Sequence, residues 1–139
     1  MGWPITHPST IYAIRCKHSG RVYIGRTYRL KERIQEHFTE LRRRQKVRYN
    51  YGSKETNLSR FQKDYDKYGE EDFEVYILEE DVMPEHCKLR EAYWIAQYNA
   101  TNPLYGYNRY DEHAKPIVPE FKRELPPNRS HHRAKKKEE

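Results

Sequence analysis

The chain has little of what very small proteins use in place of a core. Of its 139 residues only two are cysteine, Cys16 and Cys87, so there is no disulfide framework. Each lies near a histidine (His18, His86), but Cys-x-His and adjacent His-Cys lack the paired spacing of a zinc site. Both cysteines are therefore read as small buried apolar residues. Long hydrophobic runs are missing too. No stretch approaches the ~20 apolar residues that cross a bilayer, and no signal-peptide pattern precedes the first strand. Membrane function is excluded on this reading, and a cytoplasmic location is expected. Apolar residues are scarce as well, at 35%, no more than the 35% that are charged. Phenylalanine (four) and tryptophan (two) are outnumbered by thirteen tyrosines. A core built from tyrosine keeps polar ends, so much of it should border water or a ligand. Acidic residues are in deficit, 21 against 27 Lys and Arg. The net charge of +6 and pI near 9.2 favour an anionic partner. The length suits one compact domain with a tail.

Two runs rich in β-branched and aromatic residues, Ile11–Arg15 and Arg21–Gly25, are joined by the polar Cys16–Gly20 segment, which predicts a β-hairpin. The glycine closing the second run, Gly25, leaves room for another backbone or a phosphate. A charged helix is expected over 29–44, with Leu30, Ile34, Phe38 and Leu41 as its buried stripe. Arg33 and His37, four apart, share a face at the edge of that stripe. In isolation they read as a solvated basic face. Set beside Tyr12 and Tyr23 of the hairpin, they make a group suited to phosphate chemistry.

From Arg42 to Lys54 the sequence is dense in cations and tyrosine, and it is read as a helix end running into a long exposed loop. Cations for phosphates and rings for stacking fit a nucleic-acid contact through Arg42, Arg43, Arg44, Lys46, Arg48, Tyr49, Tyr51 and Lys54. A merely soluble loop is nearly as good a reading. Helix two is expected over 58–68, capped by Thr56 or Asn57 and stopped by Gly69. Phe73–Leu78 reads as the third strand, and Pro84 opens a third helix that reaches Tyr98 or Asn99. On that helix Cys87, Glu91, Trp94 or Ile95, and Tyr98 share one face. Glu91 thus sits where an apolar residue belongs and needs a partner, a metal or a raised pKa. An ordinary salt bridge to Arg33 or Arg15 is the structural alternative. Asn102–Asn108 closes the domain. Beyond it, residues 111–139 are rich in proline and basic residues and should be extended or disordered.

Together these residues resemble the GIY-YIG nuclease family. The naming tripeptides correspond to Thr10-Ile11-Tyr12, with Thr in place of the first Gly, and to an intact Tyr23-Ile24-Gly25. Arg33 and His37 match the family's Arg-x-x-x-His. Lys67-Tyr68-Gly69, Glu91 in Glu-Ala-Tyr-Trp-Ile, and Gly106-Tyr107-Asn108 match its remaining motifs. Each tripeptide alone is weak, but all these matches in order at fitting intervals are specific. The similarity gives a lead-in over 1–9, a nuclease-like domain over 10–110 with a basic insertion at 42–57, and a tail over 111–139.

The resemblance implies an α/β fold in β-β-α-α-β-α order: a small three-stranded, mainly antiparallel sheet flanked by helices. It implies hydrolysis of double-stranded DNA with one Mg²⁺ (or Mn²⁺) per site held by Glu91. By the same resemblance Tyr12 binds or deprotonates the attacking water, and Arg33 stabilises charge on the phosphate. Tyr23 orients water or phosphate, His37 assists proton movement or binds phosphate, and Asn108 braces the site. Arg26 joins the basic stretch as an expected DNA contact. Some relatives carry a further histidine before helix two; here Glu55, Thr56 and Asn57 stand there, so that role has no residue. The basic insertion and short tail favour a self-contained restriction-like enzyme, often paired with a second copy, over a homing type with a separate DNA-binding region. The competing function is a nucleic-acid-binding module without chemistry, against which the complete residue set argues. A structural or protein-binding domain leaves Glu91 unexplained.

Overall fold

The computed structural model describes residues 7–51, 59–109 and 125. Strand β1 (Ser9–Cys16) is the middle of a three-stranded sheet, with β2 (Val22–Thr27) on one side and β3 (Phe73–Val82) on the other, antiparallel to both. Helices α1 (Leu30–Tyr51) and α2 (Arg60–Tyr68) come between β2 and β3, and α3 (Pro84–Gln97) follows β3. Both the element order and the sheet type are those expected from the sequence.

β1 takes the middle because both of its faces are apolar. Tyr12, Ile14 and Cys16 pack with Ile34, Phe38 and Leu41 of α1 and with Phe61 and Tyr65 of α2. Ile11 and Ala13 face the opposite side, with Cys87 of α3, Tyr98 and Ala100. Full burial of a large apolar side chain contributes roughly 1.5–3 kcal/mol, so a strand buried on both faces fixes the two helical layers against one another. The two cysteines are buried and unpaired, as read. Leu125, from the expected tail, packs against the α3-side cluster.

Several boundaries differ from those the sequence suggests. α1 does not stop near Arg44; it continues to Tyr51, so the first part of the expected basic loop is helix. The cause lies in the residues themselves. Arg, Gln and Lys are good helix formers, and no Gly or Pro interrupts the chain before Gly52. Glu40 also pairs with Arg43 and Arg44 across the turn in question. α2 begins later than expected: Ser59 is its N-cap and accepts from the Gln62 amide at 3.1 Å, the role expected of Thr56 or Asn57. Those two residues lie outside the described part. β3 runs four residues further than the Phe73–Leu78 run, to Val82, because it pairs with the start of β1 through an irregular register near Ile11.

The closing segment lies along the outer edge of β2. The Val22 amide donates to Tyr105 O (3.1 Å), and the Tyr107 amide donates to Val22 O (2.8 Å). The Asn108 amide donates to Ala100 O (3.0 Å). Gly106 makes this docking possible, since a β-carbon there would collide with the carbonyl and Cα of Ala100. Backbone cannot swing aside as a side-chain end can. Gly106→Ala is therefore expected to cost about 2 kcal/mol or more, read as a lowered urea midpoint with an unchanged slope. An unaltered midpoint would show that the segment does not need this contact.

Candidate active site

The site starts from strand register. Tyr12 of β1 stands opposite Gly25 of β2, and its ring crosses the place where a side chain at 25 would be. A β-carbon there would lie 2.5 Å from both Cζ and Oη of Tyr12, and 2.9 Å from Cε2 of Tyr23. The room expected at Gly25 for a backbone or phosphate is thus taken by a phenol. Tyr12 is almost fully buried yet ends on a polar partner: its hydroxyl is 2.8 Å from Nε2 of His37. Tyr23 completes the cluster, its ring 6.2 Å from that of Tyr12 and 5.0 Å from that of His37. Phe61 of α2 stacks on Tyr23 at 5.9 Å and on Tyr107 at 4.6 Å, and so closes the aromatic layer.

Burial governs the protonation of this cluster. It pushes the Tyr12 phenol well above its ordinary value, helped by the nearby Tyr23. It pushes Tyr23 up likewise. For His37 the same burial, followed by the positive charge of Arg33, lowers the imidazole to about 4. At neutral pH both partners of the 2.8 Å contact are therefore uncharged. With the imidazole proton on Nδ1 the phenol donates to Nε2; with it on Nε2 the imidazole donates to the phenol oxygen. Arg33 opposes the upward shift of both tyrosines by its charge and by hydrogen bonding, which sets its guanidinium beside the two hydroxyls. It also pairs with Glu36 at 3.0 Å on the outer face of α1. A cavity of about 390 Å³ opens between α1 and α2 beside Tyr23, Arg33 and His37.

Glu91 comes from α3. It is half-buried, and burial raises its carboxyl above the ordinary range while Arg26 opposes the rise. Its negative charge raises both phenols in turn, so the tyrosines and the carboxylate share one electrostatic neighbourhood. Its partner is Arg26, Nε to Oε1 3.5 Å, rather than Arg33 or Arg15. Arg15 instead pairs with Glu74 at 3.6 Å. Among the described residues no group of three His, Cys, Asp or Glu converges. A structural zinc would need more ligands than that. A hard ion such as Mg²⁺ takes one or two carboxylates and leaves the remaining positions to water and phosphate. A single half-buried carboxylate with one loose cationic partner fits that description, and Glu91 is the residue that would hold the ion.

Asn108 does not touch the phenols. Its side-chain amide grips both backbone groups of Ile24, accepting from the amide at 2.8 Å and donating to the carbonyl at 2.9 Å. Ile24 lies between Tyr23 and Gly25, so this grip fixes the strand that carries them. Arg60 holds the same segment from α2, donating to Gly106 O at 2.8 Å and Asn108 O at 2.9 Å. Nothing in spacing or periodicity pointed to Arg60. Phe61 is buried as a core residue of α2, and it also walls the tyrosine cluster.

The expected DNA contacts fare differently. Arg42 pairs with Glu70 at 2.8 Å, Arg43 with Glu40 at 2.7 Å, and Arg44 with Glu40 at 3.9 Å. They are partly neutralised residues on a helix, not free cations on a loop. Lys46 is exposed on the same helix. The side chains of Arg48, Tyr49 and Tyr51, and Lys54 altogether, fall outside the described residues. No described helix is long and apolar enough to cross a membrane.

With this geometry established, comparisons with known proteins place the chain. The family model for the GIY-YIG catalytic domain matches residues 8–111. A solved structure, the catalytic domain of the intron endonuclease I-TevI in mutant form, is 27% identical with a TM-score of 0.58. The match covers 75% of this chain and 95% of that one. In the comparison with curated proteins nothing matches. The fold and site define a nuclease-type catalytic domain. The chain belongs to the GIY-YIG family.

Burial of a neutral His37 makes a stability prediction. Its pKa is about 6.5 when unfolded and about 4 when folded. Between those values the unfolded chain binds a proton that the native state refuses. The contribution is fully present above pH 6.5 and is lost as pH falls through 4. The size is on the order of 3 kcal/mol. Urea unfolding of wild type and His37→Phe across this range should show a steeper acid decline in the wild type. Parallel curves would place His37 in water.

Proposed function

We propose that the protein is a divalent-metal-dependent endonuclease that hydrolyses phosphodiester bonds of double-stranded DNA. The observation that carries this reading is the 2.8 Å contact between an un-ionised Tyr12 and an un-ionised His37, within the electrostatic reach of Tyr23, Arg33 and Glu91. A phenol held above its ordinary pKa cannot wait as phenolate for a water molecule. With the His37 proton on Nδ1, it can take a proton from water as its own proton passes to Nε2 of His37. The phenol then remains neutral throughout, and the imidazole carries the proton away. Tyr23 orients the water or the phosphate from the neighbouring register position. Arg33 faces the charge that develops on the phosphate, where a planar guanidinium is worth most in a partly dry site. Glu91 would hold the metal, which would polarise the phosphate and lower the pKa of bound water. Asn108, gripping Ile24, keeps Tyr23 and Gly25 in register and acts as a positioning residue.

The restriction-like arrangement remains the favoured context, with sequence recognition built into the domain and a second copy engaged on DNA. The extension of α1 supports it only through the exposed Lys46, since Arg42–Arg44 are partnered. A binding module without chemistry has no observation in its favour, because every expected catalytic residue is present.

The test is plasmid cleavage with Mg²⁺ or Mn²⁺, with and without EDTA, for wild type, Tyr12→Phe, Arg33→Lys and Glu91→Ala. Each substitution is expected to lower the rate by about 10²-fold or more while DNA binding persists. Discrete fragments would indicate site recognition. Tight binding by folded wild type without any cleavage, across varied DNA and both metals, would overturn the nuclease reading in favour of the binding module.

A further inference from the structure

The Arg26–Glu91 pair is an unusual way to hold a buried-face carboxylate. The atoms are 3.5 Å apart, Arg26 is 40% exposed and Glu91 24% exposed. In the Arg42–Glu70 pair elsewhere in the molecule, Nη1 donates to both carboxylate oxygens at 2.8 Å, which shows how an arginine and a glutamate meet here when the contact is tight. Arg90 and Trp94 likewise fasten Glu79 at 2.9 and 2.8 Å. Arg26 is also placed by the strand that carries the site: it directly follows Gly25 and stands opposite Ile11, so it cannot move far from Glu91. Its side chain is nevertheless exposed enough to turn outward.

We propose that Arg26 is an exchangeable counter-cation, neutralising Glu91 until a divalent ion takes that carboxylate and then turning to a DNA phosphate. The inference rests on the reading of Glu91 as the metal-holding residue. A partly exposed pair of this kind contributes little to stability, so its loss on metal entry is tolerable. Two cations at one carboxylate repel, so the arriving ion itself drives the arginine away. The released guanidinium then lies at the rim where the substrate backbone must pass, and a phosphate is the acceptor that suits its fork. No bond is made or broken, and one electrostatic partner replaces another. Arg26 would thereby set the metal affinity of the free protein low and couple metal loading to DNA binding.

The experiment uses the full chain and Mn²⁺ alone, followed by water-proton relaxation without DNA, in wild type, Arg26→Met, Arg26→Lys and Glu91→Gln. Arg26→Met should bind Mn²⁺ about fivefold more tightly, the equivalent of a weak surface pair, and Arg26→Lys should return towards wild type. A second readout uses a short duplex and a Tyr12→Phe background. There Arg26→Met should lower the salt dependence of DNA binding by about one phosphate contact with Mn²⁺ present, and leave it unchanged in EDTA. Thermal melts confirm that the variants are folded. If Glu91→Gln weakens Mn²⁺ binding but Arg26→Met leaves it unaltered, the exchange is wrong and Glu91 keeps its role. Loss of salt dependence in EDTA and Mn²⁺ alike makes Arg26 a plain phosphate contact and also overturns the exchange. If Glu91→Gln leaves Mn²⁺ binding intact, the assignment of the metal to Glu91 falls, and the exchange with it.

Discussion

The missing β-carbon at residue 25 is the constraint on which the site depends. The Tyr12 ring occupies that space, and only from there does its hydroxyl meet His37 at 2.8 Å. Such an arrangement holds only while β1 and β2 keep their register, because a slip of one residue would turn Tyr12 to the other face of the sheet. Two hydrogen bonds between Asn108 and Ile24, one donated by each, oppose that slip. They exist because Gly106 lets its segment lie on the Ala100 backbone and because Arg60 clasps the segment from the other side. A chain of contacts thus runs from residue 106 to residue 12. It accounts for two glycines and an asparagine in the family's motifs without assigning any of them a chemical step.

Much of this was legible in the sequence. The hairpin, the helical stripe of α1 and the third strand follow from periodicity, and the misplacement of Glu91 on an apolar face was visible from spacing alone. Its partner was not. Arg26 lies on a strand and Glu91 on a helix 65 residues later, and spacing cannot pair residues across that separation, so Arg33 and Arg15 seemed equally good. The length of α1 was readable, since no helix breaker precedes Gly52, but the same Arg and Lys that extend a helix also suit a phosphate-binding loop. Ion pairing along α1 was hidden for a related reason. Glu40–Arg43 is an i,i+3 pair open to inspection, whereas Arg42–Glu70 joins two elements that only the fold brings together. Arg60 left no trace at all, since its partners are backbone carbonyls and any sequence supplies those.

The electrostatics of the cluster bear on when it can act. Burial holds Tyr12 protonated and His37 deprotonated, so one physical cause keeps the pair neutral from both sides. Arg33 has opposite consequences for the proposed proton movement: it favours a phenolate at Tyr12 and disfavours a charged His37. With no anion present, passing a proton to His37 would place a second positive charge beside Arg33 in a poorly solvated place. A phosphate drawn to Arg33 offsets that charge and removes part of what holds the imidazole near 4. The barrier to accepting a proton therefore falls when substrate is in position. Arg33, in the proposed reaction, both faces the developing charge on the phosphate and makes proton transfer through Tyr12 conditional on the phosphate being there. In that proposal, idle deprotonation of water is discouraged by the same residue that would stabilise the productive event.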